Sequence, residues 1–88
     1  MDRDYVNKAY GKFQELFKKD LDIAAKYLID NPQVKNELTK SELITIVNYY
    51  ENKGFYESVI SLLRKANKDV VEANSRLEKT LKELEEKK

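Results

Sequence analysis

The chain has 88 residues, enough for one domain with a small core, since a folded unit of this size buries roughly 60–65% of the surface its unfolded chain exposes. Apolar residues make up 41% and charged residues 38%, with 2 Gly and 1 Pro, a balance that excludes a disordered chain and favours helix. Seventeen basic and sixteen acidic side chains leave a net charge of +1, and the absence of Cys and His removes disulfides, thiolate and imidazole metal ligands and the usual neutral-pH general base.

The first predicted helix runs from about Asp4 to Lys18. Val6, Tyr10, Phe13 and Phe17 recur every three or four residues, with Ala9 and Leu16 beside them, forming one apolar stripe. Gly11 within it costs ~1 kcal/mol relative to Ala and suggests a close backbone contact. Asp20 reads as the cap of a second helix whose apolar positions are Leu21, Ala24, Ala25, Leu28 and Ile29. Asn31-Pro32 ends it, because a residue before proline is pushed out of the α region. Asp30 to Lys40 reads as a connection.

The third helix has the clearest start. Thr39-Lys40-Ser41-Glu42 fits a capping box, and Leu43, Ile46, Val47 and Tyr50 follow as its buried stripe. Gly54 suits the left-handed position just past its end. From Phe55 onward there is neither Gly nor Pro, which predicts one continuous fourth helix of about 48 Å at ~1.5 Å per residue. The fold class is therefore all-α: a small antiparallel bundle of about four helices over residues 1–66, with residues 67–88 continuing the last helix as an extension.

Within this frame Leu43, Ile46-Val47, Tyr50, Gly54-Phe55-Tyr56, Val59, Leu63 and Ala66 resemble a single tetratricopeptide repeat. Tyr50, Gly54, Tyr56 and Ala66 match that pattern in kind; Val47 and Val59 replace its small residues, and Val71 its closing proline. The resemblance implies a helical hairpin with a tight turn, and a scaffold that binds proteins or peptides.

The final segment fits a heptad register, with Tyr56, Leu63, Val70, Leu77 and Leu84 at d and Ile60, Asn67, Asn74 and Leu81 at a. Asparagine at a favours two parallel strands at some cost in stability, so Asn67, Val70, Asn74, Leu77, Leu81 and Leu84 are the expected interface of a homodimer. The stripe is broad from Val59 to Ala66 and narrows to Leu77, Leu81 and Leu84, which predicts a tail projecting from the bundle. A second copy, another partner or the first helix folded back would then cover those leucines. Against continuity, Asp69-Val70-Val71-Glu72 is also able to start a fresh helix, and that split favours a compact monomer. A separate alternative to the seam places Asn67 and Asn74, half solvated, at the edge of an ordinary packed helix.

The charges are evenly spread, with seven of each sign over residues 1–38 and five of each over 70–88, so no stripe for nucleic acid emerges. Arg64, Lys65 and Lys68 form the densest basic cluster and read as helix surface. No apolar run spans a membrane and the start, Met1-Asp2-Arg3-Asp4-Tyr5, does not read as a secretory signal, so a cytoplasmic protein is expected. Asp20 and Asp22 read as cap residues rather than a metal site, and no cofactor, small-molecule substrate or enzymatic activity is expected. The expected function is a non-catalytic interaction module (adaptor, assembly factor or stoichiometric inhibitor), with Tyr27, Tyr49, Phe55 and Tyr56 as candidate partner contacts. The alternative is a DNA-binding helix-turn-helix with a dimerising tail, built on Leu21–Ile29 and Glu42–Tyr50. Against it, the connection is long and the second helix exposes Glu42 and Glu51 to phosphates.

Overall fold

The computed structural model describes residues 3–87; Met1 and Asp2, part of the N-terminal run read above, lie outside the described residues, as does Lys88. The described residues are mostly helical and contain no strand. In order they form α1 (Arg3–Lys19), α2 (Leu21–Asp30), a 3-10 helix (Pro32–Glu37), α3 (Lys40–Lys53), α4 (Tyr56–Lys65), α5 (Lys68–Glu72) and α6 (Ser75–Glu86).

The start chemistry of α2 and the start and stop chemistry of α3 follow the sequence. Asp20 accepts from the Asp22 amide at 2.9 Å and opens α2. Thr39 Oγ1 accepts from the Glu42 amide at 3.2 Å, and Glu42 Oε1 accepts from the Thr39 amide at 2.9 Å, closing the capping box of α3. The same Glu42 oxygen accepts from the Tyr10 hydroxyl at 2.6 Å, so the cap of α3 also ties it to α1. Gly54 adopts φ 76°. Its amide donates to the Glu51 carbonyl and the Phe55 amide to the Tyr50 carbonyl, a Schellman motif whose usual apolar contact is Phe55 against Tyr50. Gly11, by contrast, has open space where a Cβ would sit, so no close neighbour accounts for it.

The connection after α2 is ordered. Pro32 starts the 3-10 helix, and Val34 and Leu38 drop into the core from it. Around them lie Phe13 from α1, Ala24, Ala25 and Leu28 from α2, Leu43, Ile46, Val47 and Tyr50 from α3, and Val59, Leu62 and Leu63 from α4. Ile29, placed on the α2 stripe by its spacing, instead faces outward with half its surface exposed.

The continuous fourth helix is corrected. The chain leaves the helix at Ala66, where ψ is 164°, and again at Asn74, where φ is −123° and ψ 101°. Asn67 accepts from the Asp69 amide at 2.9 Å, and Asn74 accepts from the Arg76 and Leu77 amides at 3.0 and 3.3 Å. Both asparagines are therefore N-caps of new helices, not a-position residues of a seam. Their short side chains satisfy amides that a helix start leaves without partners. The two turns fold α6 back onto α4 and α5. Val71 and Leu77 join the same core as the first four α-helices, so residues after 66 complete the core instead of extending from it. The longest dimension of the molecule, 36 Å, is too short for the predicted rod.

Candidate interaction surface

Leu77 is fully buried, and Leu81 and Leu84 are partly buried against the core. Val70 is half-buried on α5, Asn67 is exposed as a cap and Asn74 half-buried as one. The six residues expected to form a coiled-coil seam thus lie on two short helices, α5 and α6, and their N-caps. Within the chain these leucines pack against α4 and α5, the preceding part of their own segment. Polar contacts fasten α6 in place. The Arg64 guanidinium pairs with Glu85, joining α4 to α6. Arg76 donates to Asn48 at 2.8 Å and to Glu51 at 3.0 Å, joining α6 to α3. Arg64, read as part of a solvated basic cluster, is thereby a docking residue.

The four aromatic candidates fall in two kinds of setting. Tyr27 is half-buried, with its hydroxyl pKa pushed up by burial and by neighbouring Tyr5. Tyr49 is half-buried too. Its hydroxyl donates to Asp22, which raises its pKa, and Lys53 lies over its ring at 5.7 Å. Tyr49 therefore bridges α2 and α3 and is committed to the fold. Phe55 and Tyr56 differ. They sit at the α3–α4 corner with 49% and 55% of their surfaces exposed, although the Schellman turn fixes where the Phe55 ring stands.

Tyr56 borders a groove of about 430 Å³ between the start of α4 and the end of α6. Ile60 and Leu84 give it apolar lining, and Glu51, Glu57, Glu83 and Lys87 place three carboxylates and one ammonium on its walls. An apolar floor with a mainly acidic wall suits a segment that carries an apolar anchor beside a basic side chain.

Sequence reasoning missed several exposed apolar residues, Tyr5, Ile23 and Ile29, which lie outside that corner. It also missed Lys35, which is buried, with 4% of its surface exposed. A signal for the turn that carries Lys35 was present, since Pro32 at a helix start with Val34 and Leu38 four apart marks a helical turn packed inward, but it does not mark Lys35 itself. Among the described residues no three His, Cys, Asp or Glu side chains group as a metal site, and no helix is long and apolar enough to cross a membrane. No protein-family model, curated protein or solved structure matches the chain.

Proposed function

We propose that the protein is a non-catalytic binding module that captures a segment of another protein at the α3–α4 corner. The observation that carries this reading is the pair Phe55 and Tyr56, two large rings half in solvent beside an apolar groove with acidic walls. Aromatic anchors next to a desolvated pocket dominate the energetics of protein interfaces. The partner segment presents an apolar side chain to Ile60 and Leu84 and a basic one to the carboxylates. The resemblance of residues 43–66 to a tetratricopeptide hairpin supports the same reading, since Gly54, Phe55 and Tyr56 make its turn. This reading does not call on a second copy of the chain: Leu77 is in the core, and Leu81 and Leu84 pack partly against it.

Affinity capture with the wild type and with Phe55→Ser/Tyr56→Ser tests this. Both side chains are exposed, so the variant keeps the wild-type helical circular dichroism. A protein retained by the wild type is lost from the variant, with at least a ~30-fold drop in affinity if the pair contributes ~2 kcal/mol. Retention unchanged in the variant overturns the reading, as does retention of duplex DNA in place of protein.

A further inference from the structure

A second groove, of about 350 Å³, lies between the 3-10 helix and α4. Ser58, Ser61 and Lys65 line it from α4, where spacings of three and four residues place them on one helix face. Lys35 reaches it from the 3-10 helix, and Ile29 and Pro32 form its apolar lip. The lining carries two ammonium groups, Lys35 and Lys65, against one carboxylate, Glu57.

Lys35 is the unusual member. Among the described residues no other charged side chain is buried. Its Nζ donates to Ser61 Oγ at 3.2 Å, and no carboxylate of the described residues pairs with it. Burial, and then the like charge of Lys65, lowers its pKa from 10.5. A buried ammonium without a counter-charge is costly, and a second ammonium beside it adds to the cost. An ammonium has three N–H donors, of which Ser61 takes one. Because the Ser61 hydroxyl accepts from Lys35, its own proton is left to point elsewhere.

We infer that this groove is an oxyanion site that takes a phosphate group, held by Lys35 and the Ser61 hydroxyl, with Lys65 and Ser58 at its mouth. Lysine serves as a point-charge binder of phosphate, and hydroxyls supply the remaining donors. The anion provides a counter-charge that no ion pair among the described residues gives Lys35. The site is separate from the Phe55–Tyr56 corner and does not rest on the role proposed for it.

Titration with inorganic phosphate, followed by amide and lysine side-chain NMR at constant ionic strength with chloride as the reference, tests the site. Saturable shifts are expected at residues 35, 58 and 61, beyond those that chloride produces. Lys35→Met weakens binding more than tenfold. Lys65→Gln, at an exposed position that does not endanger the fold, weakens it several-fold, and Lys53→Gln leaves it unchanged. A parallel titration with O-phosphoserine distinguishes the source of the group. Tighter binding than inorganic phosphate assigns the site to a phosphate ester whose carbon lies on Ile29 and Pro32, and weaker binding assigns it to the free ion. Shifts no larger than those with chloride, or equal affinity in the wild type and Lys65→Gln, overturn the inference.

Discussion

Tyr50, Tyr10 and Lys35 are among the side chains that set how this fold responds to alkali, with Tyr27 and Tyr49 also raised. The Tyr50 hydroxyl donates to the Ala25 carbonyl at 2.7 Å, and burial, then Tyr49, pushes its pKa from 10.0 to about 12. Burial and the hydrogen bond to Glu42 push Tyr10 to about 12 as well. An unfolded tyrosine loses its proton near pH 10 while these two keep theirs, so stability falls as pH rises from about 10 to about 12. Lys35 acts in the opposite sense. Its folded pKa lies below 10.5, so the unfolded chain binds more protons in the window ending at that value, and stability rises with pH there. Lys35→Met removes the buried charge and keeps the length of the chain. It is expected to raise stability at pH 7 by on the order of 1 kcal/mol, and the rise below pH 10.5 disappears from its profile. Urea unfolding from pH 7 to 12 measures both, and Tyr50→Phe should flatten the loss above pH 10. A less stable Lys35→Met at pH 7 would show that the bond to Ser61 outweighs the burial of the charge.

At the scale of the element, the question is what ends one helix and starts the next. Asn74→Ala removes the acceptor for two amides at the start of α6 and is expected to cost ~1 kcal/mol. That lowers Tm by about 4–8 °C for a chain of this length. A continuous helix through residue 74 predicts the reverse, since alanine has the higher helix propensity, so thermal melting of this variant separates the two arrangements. The same position shows why the sequence was legible in some places and not in others. Thr39 with Glu42, Asp20 and Gly54 each carry a local signal with one reading, and the structure uses each of them that way. Asn67 and Asn74 carry two readings, because asparagine suits both an N-cap and the a position of a dimer. The period of seven from Leu63 through Leu84 did not discriminate, since each short helix presents its own apolar residue to the same core. The Asp69-Val70-Val71-Glu72 signal was the correct one, one residue pair from the cap the chain uses. Lys35 was hidden for another reason: its burial depends on α4 closing over the 3-10 helix, a contact that no local pattern encodes.

The whole molecule turns on where the tail lies. With a Cα radius of gyration of 12.5 Å it is as compact as a chain of this length packed as one unit, for which ~12 Å is expected. That compactness requires α6 to be folded back, and Leu77 and Leu84 test it from two positions on one helix. Leu77 is fully enclosed, so Leu77→Asp buries an unpaired carboxylate and unfolds the chain or costs several kcal/mol. Leu84 borders the open groove and is partly exposed, so Leu84→Asp leaves helical content and melting close to the wild type. In a parallel dimer sealed by a seam, both substitutions act alike: each breaks the association and leaves a folded monomer. Sedimentation together with circular dichroism therefore decides the matter. The expected result is a wild type near 10.4 kDa, an unfolded or strongly destabilised Leu77→Asp, and a folded Leu84→Asp of the same mass. A wild type at twice that mass, with both variants monomeric and helical, would instead place the leucines between two chains.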